Sequence, residues 1–318
     1  MKTFFKLFLF AACLPCITNA QTHLKKAVAG TTNASALKGN SIIHQIAKRG
    51  AGDHGIFYDT LANAIKPTDA FNGTGKQYQD IKVTLDAGDV VVAEVKGEPD
   101  VLTMNLLGIV NNQLKTLKPI VDTSQDEGCK IYYKANRAGT YILRVITKSK
   151  VPIDQYESEE FYESESGYTL NCIIATAAAG RLHDNPTVCE VVQFLLRQRL
   201  TAYLPITGAV IDTSVEKNGD ILINHQSLFT IDKKSEAIVS TDPKSAYFSF
   251  DQTLEYKNQQ AAEKAWHFLI DHFKNCLGAD WRGAALTSNP NWYVFRQLDH
   301  EDINIIIYPE RNLVEILM

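Results

Sequence analysis

The 318-residue sequence has no basic excess: 32 lysines and arginines stand against 36 aspartates and glutamates, a formal charge of −4. Without surplus cations to neutralise phosphates, nucleic acid is excluded as the expected partner. No apolar run approaches the eighteen residues that a membrane-spanning helix needs, so no transmembrane helix is expected. The motifs His-Glu-x-x-His, Gly-x-Ser-x-Gly, the Walker loop and Gly-x-Gly-x-x-Gly are all absent, and with them the commonest signatures of metal, acyl-transfer and nucleotide chemistry. Cysteines and histidines are not clustered at zinc-like spacing. What remains is ordinary for a globular protein, with 45% hydrophobic and 21% charged residues. That excludes a disordered or collagen-like chain, and the length suits two domains.

The first twenty residues carry the clearest signal. Lys2 and Lys6 precede an apolar run from Leu7 to Ile17, too short to cross a bilayer as a helix. Thr18 and Ala20 then stand where signal peptidase requires small residues. Cleavage after Ala20 is expected, leaving Gln21 first and an exported, periplasmic or secreted protein. A rival reading takes Ala11-Ala12-Cys13 as the end of a lipobox, with Cys13 lipidated, although Phe10 stands where that motif prefers leucine. Removing the leader leaves Cys129, Cys172, Cys189 and Cys276. Export permits disulfides, but a chain this long can also bury its cysteines as small apolar residues. If one pair is bridged, Cys172–Cys189 is the expected one, because it would pin a following helix to a preceding strand.

Residues 21–55 read as a linker, with a short helix expected around Ser41 to Lys48. Residues 56–178 are dominated by strand signals: Lys82 to Asp86 alternates, Val90 to Val95 is β-branched, and Cys129 to Lys134, Thr140 to Thr147 and Tyr168 to Ile174 follow. Short strands separated by Gly, Asp and Asn turns predict a β-sandwich. Gly88 and Gly139 are placed for tight turns. Leu85, Tyr141, Leu143 and Val145 are placed for its buried face.

The pattern Val83-x-Leu85-x-Ala87-Gly88-Asp89, then Asp100, then Ala138 to Val145, and finally Gly167-Tyr168-Thr169-Leu170 resembles the bacterial pre-peptidase C-terminal domain over about residues 77–177. The resemblance implies a jelly-roll-like sandwich that is not itself catalytic. Such domains are usually appended to secreted enzymes, where they help the carrier fold or hold it to polymers and surfaces. No protease domain accompanies it here, so the peptidase association does not carry over.

Between the last two strands, Asp154, Glu157, Glu159, Glu160, Glu163 and Glu165 crowd one segment. Hard cations collect carboxylate oxygens on loops, so Asp154, Glu157, Glu159 and Glu160 are a candidate calcium site and Ca2+ the only cofactor considered. A solvated hairpin loop accounts for the same residues.

Residues 179–318 change character. Val188, Val191, Val192, Leu195, Leu196 and Leu200 recur at helical spacing, and Ala262, Trp266, Leu269, Phe273 and Cys276 mark a second helix from Gln259 to Leu277 with Gly278 as its cap. Strands are expected at Asp220 to Asn224, Ser227 to Ile231, Ala246 to Phe250, Trp292 to Gln297, and Ile303 to Tyr308 paired with Leu313 to Leu317. The result is an α+β domain with two helices on an antiparallel sheet, in an order that hints at an internal repeat. The group Lys274, Cys276, Leu277, Gly278 and Trp281 is similar to tails of exported bacterial proteins of unknown function.

Catalytic constellations are few. His267 and His272 lie about 140° apart around one helix, which argues against a shared metal. His267 with Asp271, and Cys276 with His272, are each four residues apart, but a cysteine on an apolar stripe is inert. Trp266, Trp281 and Trp292 could line a carbohydrate platform. The expected role is an exported, non-catalytic binding or accessory protein, with a protein or polysaccharide partner. A secreted hydrolase with its site in residues 179–318 or at the domain seam is the alternative.

Overall fold

In the computed structural model the described residues are 42–46, 48, 54–65, 77–97, 102–110, 113–122, 128–147, 166–215, 221–232, 235–243, 246–297 and 300–318. The leader, Cys13, Asp100 and the calcium candidates Asp154, Glu157, Glu159 and Glu160 lie outside them. No described helix is long and apolar enough to cross a membrane.

Ten strands come first: β1 (Ile42–Ile46), β2 (Ile56–Ile65), β3 (Tyr78–Leu85), β4 (Val90–Gly97), β5 (Leu102–Val110), β6 (Gln113–Thr116), β7 (Ile120–Asp122), β8 (Gly128–Lys134), β9 (Gly139–Thr147) and β10 (Ser166–Ala175). They form two five-stranded sheets, ordered β1-β3-β9-β5-β6 and β2-β10-β4-β8-β7. Alternation turns Ile81, Val83 and Leu85 of β3, with Tyr141, Leu143 and Val145 of β9, against Val91, Ala93 and Val95 of β4 and Leu170, Cys172 and Ile174 of β10. Each valine, leucine and isoleucine among them contributes about 1.5–3 kcal/mol through burial. This is the sandwich that the alternating segments predict.

The segment expected as a helix around Ser41 to Lys48 instead contains β1, which runs parallel to β3. Three β-branched residues, Ile42, Ile43 and Ile46, suit an extended segment, and the free edge of β3 takes its hydrogen bonds. Gly88 sits at φ +87°, as its turn demands, whereas Gly139 has an ordinary φ and open space around it.

Asp89, next to Gly88, is 2% exposed. Its Oδ2 accepts from the Asp86 amide at 2.7 Å and from Lys48 Nζ, while Oδ1 accepts from the Ala177 amide at 3.3 Å. One carboxylate thus closes the β3–β4 turn, holds the residue after β1 and fixes the exit from β10. Asp89→Ala leaves the Asp86 and Ala177 amides without their acceptor and Lys48 with Asp86 alone, and a loss of about 3 kcal/mol in urea unfolding is expected. Asp89→Asn, which keeps one acceptor oxygen, should recover part of it; equal losses in the two variants would count against this role.

The rest of the chain runs α1 (Val188–Arg199), β11 (Thr207–Val215), β12 (Ile221–Ser227), β13 (Ala237–Asp242), β14 (Tyr247–Glu255), α2 (Gln259–Cys276), β15 (Trp281–Leu286), β16 (Asn289–Gln297), β17 (His300–Tyr308) and β18 (Leu313–Leu317). The sheet order is β11-β12-β13-β14-β18-β17-β16-β15. A helix with four strands therefore occurs twice, and the two sets meet at their last strands, β14 and β18. Both helices pack through Val192, Leu195, Leu269 and Phe273 into one apolar cluster with Phe250, Phe295, Ile305 and Ile316 of the sheet. Thr187 and Glu190 form a capping box that starts α1. At the end of α2, Gly278 takes no left-handed conformation, and the cap is Leu277 in an extended one. Residues 228–231, part of the expected strand Ser227 to Ile231, form no strand; Ser227 instead ends β12.

Cys189 and Cys276 form the disulfide, their Cα atoms 4.9 Å apart, and tie the start of α1 to the end of α2. The expected Cys172–Cys189 pair is therefore wrong. Alternation along β10 sends Cys172 into the sandwich core, where it and Cys129 are both buried.

The apolar cluster under the helices also takes in Val90 and Val92 of β4, Tyr132 of β8 and Ala175 of β10, from the outer face of the sandwich. The Tyr132 and Phe248 rings meet at 4.8 Å.

Candidate functional site

Three places carry chemistry beyond packing. The first is the face of the eight-stranded sheet that the helices leave open. On β14, Phe248, Phe250, Gln252 and Leu254 point to the helices, so Ser249, Asp251 and Thr253 point away. On β18 the same alternation turns Glu315 outward, opposite Thr253 and diagonal to Asp251. Tyr308 Oη donates to Glu315 Oε2 at 2.8 Å. The Asp251 Oδ1 atom is buried without a partner. Burial first, then the Glu315 charge, pushes the Asp251 carboxyl up to about 7. Burial, then the bond to Glu315, pushes Tyr308 up to about 12. Asp251 thus holds a proton through acid and releases it near neutrality.

The second place is the seam. Lys134 Nζ of β8 donates to the Thr207 carbonyl at 2.8 Å, and burial lowers its pKa. His225 is lowered by burial, with Lys134 adding to it and a bond to the Gly208 carbonyl opposing. His225 Nε2 lies 3.5 Å from Thr241 Oγ1, the arrangement of a hydroxyl and its base. Thr241, however, is 3% exposed and donates to the Ile223 carbonyl at 3.4 Å, so this hydroxyl is closed to a substrate.

The third place is β11, an end strand of its sheet that among the described residues pairs only with β12. Val210 is 58% exposed, Ile211 55% and Val215 71%, and Leu228 beyond the end of β12 is 67% exposed. Val210 and Ile211 are consecutive at a bulge of the strand, and both are apolar and open. β11 contains no lysine, arginine or proline, and its one charge is Asp212. Bulges interrupt its first half, but Asp212 to Val215 pairs regularly.

The residues singled out from the sequence do not converge. His267 lies against the Trp266 ring, whereas His272 bonds the Phe268 carbonyl through Nδ1 at 2.8 Å. Cys276 is in the disulfide and has no thiol to offer His272. His183 is bonded to the Asp184 carbonyl and to Glu190, which together raise its pKa. Trp266 donates to the Ile305 carbonyl from the helix side, Trp281 packs against the core, and Trp292 donates to Asn304 on the open face. The three tryptophans make no common platform. Among the described residues no group of three or more histidines, cysteines or carboxylates is placed to hold a metal. Asp251, Glu315 and the β11 edge have only a weak signal in the sequence: carboxylates at alternating strand positions, and an apolar stretch interrupted by Gly and Ser.

No family model matches the chain, and no curated protein does. Solved structures similar to it include PliG, a periplasmic inhibitor of g-type lysozyme, from Aeromonas hydrophila (10% identity, 41% of this chain, 96% of that one, TM-score 0.25). PliG from Salmonella Typhimurium is similar at 13% identity over 41% of this chain and 97% of its own, TM-score 0.24. The pre-peptidase C-terminal domain of Bacillus anthracis collagenase is similar at 11% identity over 36% and 87%, TM-score 0.23. At such scores none of them lends its fold or its role to this chain.

Proposed function

We propose that the chain is an exported, non-catalytic binding protein that takes an extended segment of a protein partner along β11. The observation that carries this reading is the open edge itself: a strand with Val210, Ile211 and Val215 in solvent, no lysine, arginine or proline, and Asp212 as its one charge. Such an edge offers unpaired amides and carbonyls together with apolar contacts, which is how a sheet captures a further strand. Export is supported by the leader residues before Gln21, and by the Cys189–Cys276 bridge, which an oxidising compartment sustains. In this proposal residues 56–178 are the frame and residues 179–318 carry the binding edge.

A photo-crosslinking residue at position 211, on protein incubated with envelope extract, tests the reading. Adducts are expected there, and a Val215→Lys change should remove most of them. Equal labelling from position 268, where Phe268 is as exposed but lies on α2, would overturn it.

A further inference from the structure

The opposite edge of the eight-stranded sheet carries a different feature, independent of the β11 proposal. A cavity of about 490 Å³ lies over β15 and β16, lined by Asp280, Arg282, Ala284, Leu286, Val294 and Arg296 among others. That is within the range of small-molecule sites.

The strand register gives the cavity its character. Arg282 stands directly opposite Arg296, and Ala284 directly opposite Val294. All four therefore share one face, the one turned away from the helices. On the other face Gly283 meets the Tyr293 and Phe295 rings so closely that a Cβ would lie 2.7 Å from both. β15 is thereby laid flat on those rings, and its small residues leave the space above open.

Like charges directly across a strand pair repel. Arg296 is partly compensated, its Nε donating to Asp302 Oδ2 at 3.0 Å. Arg282 forms no ion pair among the described residues, with Asp280 at the rim included. Two guanidiniums thus face an apolar floor of Ala284, Leu286 and Val294, and one of them has no ion pair among the described residues. Guanidinium is the side chain best matched to the planar, bidentate recognition of a carboxylate or phosphate.

We propose that this cavity binds a small amphiphilic anion, its carboxylate or phosphate head between Arg282 and Arg296 and its apolar body over Ala284 and Val294. The head supplies a counter-charge to Arg282, and the body covers the exposed Ala284.

Calorimetric titration of the full chain with decanoate tests this, with decanol and inorganic phosphate as controls for body and head. Saturable decanoate binding is expected, at least tenfold weaker in Arg282→Gln and abolished in Ala284→Trp, which fills the cavity. Both positions are exposed, so an unchanged thermal midpoint checks that the variants fold. No decanoate binding, equal binding by wild type and Arg282→Gln, or decanol binding as tightly as decanoate would each overturn the proposal. Sedimentation with phosphatidylglycerol vesicles separates the sources of the anion. Arg282-dependent sedimentation supports the site with a lipid head as ligand, and decanoate binding without sedimentation supports it with a free anion.

Discussion

Replacing both Cys189 and Cys276 by serine is expected to lower stability by about 4 kcal/mol. The bridge joins residues 87 apart in sequence, and closing a loop of that size removes much of the freedom of the unfolded chain. The folded state changes less, because Leu269 and Phe273 still pack beside Val192 and Leu195, and Gln193 Nε2 still donates to the carbonyl of residue 276 at 2.9 Å. Urea unfolding of wild type and double variant reads the difference, and reductant should bring the wild type down to the variant. A gap below 1 kcal/mol would mean that the helices are held by packing alone. Thiol titration of the denatured, unreduced protein separates the pairings among the four cysteines after Ala20. Only Cys129 and Cys172 should react, whereas a Cys172–Cys189 bridge would leave Cys129 and Cys276.

The second large effect depends on pH. Asp251 is raised from 3.8 to about 7 in the folded state, so between those values the folded protein holds a proton that the unfolded chain has released. Stability linked to this group is full below pH 4, falls as pH rises toward 7, and is level above it. Allowing for the part of the side chain still in water, the fall amounts to about 2 kcal/mol. Asp251→Asn removes it: the amide carries no titrating proton and no charge to bury, so the variant should match wild type near pH 4 and exceed it by that amount at pH 8. Thermal midpoints across that range check the sign. The difference between the two proteins isolates Asp251 from Glu315, Tyr308, Glu255 and Asp302, which line the same face. A gap that widens toward acid would contradict the assignment.

The elements legible in the sequence are those whose periodicity is local. The stripe through Ala262, Leu269 and Phe273 gives α2 within one residue of its end, and Ile303 to Tyr308 pairs with Leu313 to Leu317 as their spacing suggests. Gly88 and Asp89 mark a turn that is present with its positive φ. β1 is hidden because its hydrogen bonds come from β3, more than thirty residues further on. β11, β13 and β15 are hidden by Gly, Ala, Ser and Thr, which weaken any alternation. The carboxyl pair and the arginine pair were beyond reach for a different reason. Asp251 meets Glu315 only because the second set of strands reverses the order of the first, and Arg282 meets Arg296 only through hairpin register. The disulfide depends likewise on which helix ends meet.

β4 is the centre of the sheet β2-β10-β4-β8-β7, and its run Val90-Val91-Val92-Ala93 shows no alternation because neither face is wet there. Val91 and Ala93 belong to the sandwich core, while Val90 and Val92 belong to the core beneath the helices. Its amides are bonded to β10 and β8 on either side, so a local fluctuation cannot bring them to solvent. Their exchange with deuterium requires both cores to open together. Exchange at β4 therefore clocks the joint opening of the two cores, and its labelling should be among the slowest in the chain.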